Sequence, residues 1–435
     1  MTKRFPVPRR ALAFACALLL IAPAPSAWGQ ESSAGFSKEK LERIPALLKE
    51  AVEKKEMAGA SALIARHGKV VQLSAVGMQD VETKAPMSDA TIFRIASMSK
   101  PIVSVAVMTL VDDGKLSVTD PLSKFVPEFK DMTVLVPAKD GKSYETVKAE
   151  REITIHDLLT HSSGFTYRLF KKPIVAKLYA DAGVSDGISE TPGTIGDNVK
   201  RLAKMPLVCQ PRSAWEYGLS TDVLGYVVEV VSGKALDEYL HERVLKPLKM
   251  NDTYFVLPKE KRSRLAAVYT IGPNKVIARV DKPITEGVTV VSTTYPTNDD
   301  SKYYSGGAGL VSTIGDYFRF SQMMLNGGEL DAARVLKRET VQKMTQNQLG
   351  KLRIFFPGND LMGYGFGILS EQGKETSKDP AGVGTYAWGG AFGTYFWIDP
   401  RNEVVGVFMT QMFPPNFAKG TELKKTVYEA LTPAK

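Results

Sequence analysis

Ser97 and Lys100 stand three residues apart at the head of an apolar run, Pro101-Ile102-Val103-Ser104-Val105-Ala106-Val107-Met108, with no further charge until Asp112. Residues three apart on a helix share a face, one turn from each other, so the amine comes within reach of the hydroxyl. Pro101 suits a first helical turn, where a missing N–H costs little. Ser97 would then sit at a helix N-terminus, whose free N–H groups favour developing negative charge. A serine hydroxyl is a weak nucleophile until a base takes its proton. A lysine serves as that base only when its amine is uncharged, and burial among apolar side chains favours that state. The pair also reads as an N-cap serine and a lysine reaching back to solvent, so spacing alone does not decide.

Two further stretches bear on the choice. Tyr217 lies just ahead of the amphipathic pattern Leu219-Ser220-Thr221-Asp222-Val223-Leu224-Gly225-Tyr226-Val227-Val228. A tyrosine beside a lysine can share or relay a proton; by itself it could equally be a core residue. Trp388-Gly389-Gly390 opens a strand pattern. Glycine in a strand permits close approach of a ligand to the backbone, and the N–H of Ala391 that follows is then available to donate.

These residues need elements to hold them. Gly35–Met57 has helical apolar spacing at Leu41, Ile44, Leu47, Leu48 and Val52. Strand, turn and strand follow around His67-Gly68-Lys69. Near the other end, Gly393–Met412 repeats strand–turn–strand about Asp399-Pro400-Arg401-Asn402, before a last helical pattern from Gly420. The economical arrangement joins the two end hairpins in one antiparallel sheet flanked by helices. That predicts an α+β fold: an α/β part from residues 35–90 and 291–431, and an all-helical subdomain from about 91–290. The cleft is expected between the two.

The composition narrows the function classes. Of 435 residues, 44% are hydrophobic and 24% charged, as in a soluble enzyme with a large core. Residues 1–29 read as a signal peptide: a basic start, an apolar stretch from Ala11, and small residues before Gly29. The chain is therefore expected in the periplasm or secreted, with no stable membrane insertion once that segment is removed. The segment holds Lys3, Arg4, Arg9 and Arg10 and no acid, so 56 Lys and Arg fall to 52 against 47 Asp and Glu. That small, dispersed excess gives no footprint for nucleic acid. Cys209 is then the one remaining cysteine, and four scattered histidines offer no metal-ligand spacing. No cofactor and no metal is expected.

Taken in order, Ser97-Met98-Ser99-Lys100, Tyr217-Gly218-Leu219 and Trp388-Gly389-Gly390 resemble the serine β-lactamase and penicillin-binding-protein superfamily. Within its class C-like branch the chain is most similar to the family VIII carboxylesterases. The stretches Asp157–Tyr167, Ser305–Gly328 and Met362–Ile368 extend the resemblance over about 35–431. It implies that Ser97 is the acylated nucleophile and that Lys100 helps remove its proton. Tyr217 would assist proton transfer to the leaving group. The N–H groups of Ser97 and Ala391 would form the oxyanion hole, and Trp388, Gly389, Gly390 and Leu219 would meet the substrate.

The departures are equally specific. Leu219 replaces the asparagine of Y-x-N, and Trp388 replaces the lysine of K-T-G, which in lactamases holds a carboxylate. No G-x-S-x-G occurs, which argues against an α/β-hydrolase elbow. The leading expectation is a secreted serine carboxylesterase for short-chain esters, compatible with weak β-lactam hydrolysis. A β-lactamase or D,D-peptidase on the same scaffold, and a non-catalytic β-lactam-binding sensor or scaffold, are the alternatives.

Overall fold

The computed structural model describes residues 1–2, 34–139, 143–170, 172–272, 276–355 and 358–432. The signal-peptide reading falls almost wholly on residues 3–33, outside the described residues. Among the described residues, no helix is long and apolar enough to cross a membrane.

Apolar runs from both ends of the chain meet in one sheet. Its strands are β1 (Gly59–Arg66), β2 (Lys69–Asp80), β3 (Ala85–Pro86), β4 (Leu361–Met362), β5 (Gly367–Ile368), β6 (Tyr386–Gly390), β7 (Thr394–Asp399) and β8 (Val404–Thr410). The order is β4-β5-β6-β7-β8-β1-β2-β3, every pair antiparallel. The junction of the two chain ends is β1 on β8, with Ala60 opposite Thr410 and Arg66 opposite Val404.

Both faces of this sheet are covered, so its central strands are apolar at nearly every position. Ala62, Ile64, Trp397 and Phe408 face α1 (Arg43–Glu53) and the C-terminal helix Ala418–Ala430, against Ile44, Leu48, Leu423 and Val427. The alternate residues Leu63, Phe396, Ile398, Val407 and Met409 join the main core on the other face. α2 (Ser99–Asp112) runs through that core and is buried from Ser99 to Leu110. A helix apolar on every side must be surrounded, which accounts for the uncharged run after Lys100.

The middle of the chain is rich in helices, including α3 (Ile155–Leu159), α4 (Ser220–Ser232) and, further on, α5 (Ile314–Leu325). It is not all helix. β-branched runs such as Thr133–Pro137 and Thr289–Val291 pair locally into short hairpins.

α3 carries the chain toward the site and is fixed by an internal charge. Thr154 and Asp157 form a capping box, and Asp157 accepts two hydrogen bonds from Arg151, at 2.8 and 2.9 Å. Burial opposes the Asp157 charge, but His156, Arg151 and Thr154 outweigh it and hold its pKa well below the ordinary carboxylate value. Asp157→Ala should cost about 2–3 kcal/mol at pH 7, at or under the low end for a broken buried pair because Arg151 is partly exposed. A depressed pKa stabilises above the unfolded value of about 3.9 and loses its effect as pH falls. Urea unfolding should therefore show the gap between wild type and variant closing below about pH 4.

Candidate active site

Ser97 lies in a short 3-10 turn, Ala96–Met98, that runs directly into α2. The residue before it, Ala96, has φ +41°, a conformation that costs energy for any residue with a Cβ. The surroundings hold the turn in place. Ile95 N–H donates to Leu310 C=O at 3.1 Å, Leu310 N–H donates to Ser99 Oγ at 3.1 Å, and Tyr317 OH donates to Met98 C=O at 2.9 Å. Gln411, just beyond β8, bonds the Arg94 backbone in both directions at 3.0 and 3.1 Å.

Lys100 is 1% exposed. Its Nζ lies 3.1 Å from Ser97 Oγ and donates to the Gly307 carbonyl at 2.7 Å. The i, i+3 spacing read from the sequence thus delivers the amine to the hydroxyl. Tyr217 comes from the loop ahead of α4, and Lys100 Nζ sits 4.6 Å from the centre of its ring. That is cation–π geometry. The Tyr217 hydroxyl is held by Trp388, whose Nε1 donates to it at 3.3 Å. Ser97, Lys100, Tyr217 and Trp388 therefore form one cluster.

The other expected contacts fall differently. A Cβ on Gly390 would stand 2.3 Å from Ile95 O, and one on Gly389 would stand 2.9 Å from the Phe417 ring. These glycines make room for the Ser97 turn and for Phe417, where the sequence suggested room for substrate. Ala391 follows at once, in the turn to β7. Trp388 is 1% exposed and packs on Tyr217 with ring centres 5.5 Å apart. Leu219 is completely buried in the main core.

Sequence reasoning gave no role to several residues that the fold brings here. Trp215 stacks on Tyr217 at 5.8 Å and 17°. Phe170 and Tyr167 pack on the same ring at 5.9 and 5.5 Å. His161 lies 4.8 Å from it, fully buried, with Nδ1 unpartnered. Burial holds the His161 pKa well below its ordinary value, so the imidazole is neutral at pH 7. The one available signal was the crowding of aromatic residues in 161–170 and 215–217.

A cavity of about 1460 Å³ lies elsewhere, against the C-terminal helix and the turn after β7, bordered by Lys374, Asp379, Tyr395, Lys424 and Tyr428. It touches none of the clustered residues, so chemistry rather than volume marks the site. Among the described residues, no group of three or more His, Cys, Asp or Glu is placed to hold a metal ion.

A family model described as Beta-lactamase matches residues 44–427. Esterase EstB of Burkholderia gladioli is 33% identical over 82% of this chain and 86% of its own. Lovastatin esterase of Penicillium rubens is 31% identical over 76% of this chain and 82% of its own. Among solved structures, EstCE1, titled a hydrolase with promiscuous acyltransferase activity, superposes with TM-score 0.77 at 27% identity, covering 90% of this chain and 99% of that one.

Proposed function

Because the chain belongs to the beta-lactamase family and is a serine hydrolase of that fold, we propose that it is a carboxylesterase cleaving short-chain, uncharged esters through an acyl-enzyme on Ser97. The observation that carries this reading is the 3.1 Å approach of buried Lys100 Nζ to Ser97 Oγ. Ser97 Oγ attacks the ester carbonyl carbon as its proton passes to Lys100. The carbonyl electron pair moves onto oxygen, facing the N–H groups of Ser97 and Ala391. Collapse expels the alcohol, which takes a proton from the Lys100–Tyr217 unit. Water then releases the acid by the same steps. The names of EstB and lovastatin esterase support an ester as substrate, and the initial basic and apolar segment of the sequence supports export to the periplasm or secretion.

Trp388 favours esters over lactams on electrostatic grounds. A β-lactam or stem peptide brings a carboxylate that must be compensated once water is excluded. A lysine at this place would supply a charge-assisted bond of roughly 1.5–3 kcal/mol, or about 10- to 150-fold in kcat/KM. Trp388 has one N–H, and it is already given to Tyr217. Trp388→Lys should lower the ratio of kcat/KM for p-nitrophenyl butyrate over nitrocefin. Parallel losses with a lower Tm would make Trp388 a packing residue, and a higher ratio would overturn the argument.

The reading as a whole is tested by a hydrolysis panel: p-nitrophenyl esters beside nitrocefin and a D-Ala-D-Ala peptide. Turnover dominated by nitrocefin or the peptide would replace carboxylesterase by β-lactamase or D,D-peptidase. No turnover of any would leave a binding protein.

A further inference from the structure

Lys100 donates to a neutral group, the carbonyl of Gly307, at 2.7 Å. Immediately behind Gly307 sits a carboxylate. Asp222, in the first turn of α4, is 1% exposed. Its Oδ1 accepts from Ser305 Oγ at 2.6 Å and from Tyr303 OH at 3.5 Å. Its Oδ2 makes no hydrogen bond of ordinary geometry, and neither does the buried hydroxyl of Tyr167. Both flank Gly307. A Cβ there would stand 2.4 Å from Asp222 Oδ2 and 3.1 Å from Tyr167 OH. Glycine alone lets the backbone slot between this carboxylate and the lysine.

Lys100 also faces the rings of Tyr217 and Tyr167, at 4.6 and 5.3 Å, and lies near His161, which is neutral at pH 7. When Lys100 takes the Ser97 proton, a full positive charge forms in a place stripped of water. Such a charge is costly unless fixed groups compensate it.

We infer that Asp222 is a positioning residue whose negative charge, one residue behind Gly307, stabilises the ammonium that forms on Lys100 during acylation. Asp222 takes no proton in the step. The proton leaves Ser97 Oγ for Lys100 Nζ, the oxygen's electron pair forms the new bond to carbon, and the carboxylate stays ionised throughout. The role parallels that of the aspartate in a Ser-His-Asp triad, which stabilises a conjugate acid without itself being protonated. The inference rests on the assignment of Ser97 and Lys100 to acylation.

The same placement makes the charge conditional on pH. Burial pushes the Asp222 carboxyl up to about 6, against the Ser305 hydrogen bond and the Gly307 N–H. Asp186, also raised by burial, adds repulsion, and the buried phenols of Tyr167 and Tyr303 face the same pocket. A carboxylate that must be ionised gives activity present above about pH 6 and lost below it.

Three variants of the full chain test this with p-nitrophenyl butyrate across pH 5–9. Asp222→Asn keeps the size and the acceptor for Ser305 but removes the charge. It should lower kcat about 10- to 100-fold at pH 8 with KM changed less than about 3-fold, at a Tm close to wild type. Ser305→Ala leaves the charge but removes the bond that lowers its pKa, so the acid limb of the kcat/KM profile should move to higher pH with the plateau kept. Ser97→Ala is the control for the underlying assignment. Activity surviving in Ser97→Ala defeats that assignment. An inactive Ser97→Ala beside an Asp222→Asn enzyme of wild-type rate and profile defeats the inference alone. If Asp222→Asn does not fold, an unmoved acid limb in Ser305→Ala defeats it, and a shifted limb sustains it.

Discussion

Replacing Ser97 by alanine is expected to cut ester hydrolysis by about 10⁴-fold or more and to abolish labelling by a fluorophosphonate probe. The expectation rests on position as much as on residue type. Ser97 is carried on a turn whose preceding residue, Ala96, is held at φ +41°, and strain of that kind persists only where neighbours enforce it. Ser99, two residues on, cannot substitute. It is fully buried, and its hydroxyl oxygen accepts the Leu310 N–H at 3.1 Å. Intact-mass spectrometry of the labelled protein, followed by peptide mapping, should place the adduct on Ser97. A label on Ser99, or substantial turnover by Ser97→Ala, would remove the nucleophile from this assignment.

Lys100→Ala and Tyr217→Phe should each cost on the order of 10²–10⁴ in kcat/KM, and the double variant should lose far less than the product of the two. Groups that act as one unit are non-additive, because the first loss already removes what the second would. The geometry divides their parts. Lys100 Nζ is the group within reach of Ser97 Oγ, whereas the Tyr217 hydroxyl is tied to Trp388 Nε1 and its ring lies under the amine. The Tyr217→Phe variant keeps that ring face and loses only the hydroxyl, so its loss measures proton transfer rather than the cation–π contact. Strictly multiplicative losses would mean that the two groups serve separate steps.

The sequence revealed what is local. Ser97 and Lys100 were legible because three-residue spacing on a helix is a property of the helix alone. The end hairpins were legible from short apolar runs around turn residues, and their joining from the need of each to bury a face. What could not be read is whatever depends on which distant segments meet. Asp222 stood in plain view five residues after Tyr217, but its value comes from Gly307, 85 residues further on. Gly389 and Gly390 read as openings for a ligand because nothing in the sequence shows Phe417 or Ile95 O arriving to fill the space. Leu219 was expected at the substrate because it stands at the asparagine position of Y-x-N, and its complete burial depends on the distant segments that build the main core around it.

The sheet closes between β1 and β8, with Ala60 opposite Thr410, and Gln411 grips the backbone of Arg94 three residues before Ser97. During synthesis the ribosome reaches Ser97 more than three hundred residues before it reaches Gln411. A nascent chain of intermediate length therefore holds Ser97, Lys100 and Tyr217 but neither Trp388 nor the strand that leads to Gln411. The loop that must close is nearly the whole protein, and no early fragment can close it at lower entropic cost. The turn that carries Ser97 therefore gains its last support only when translation is almost finished.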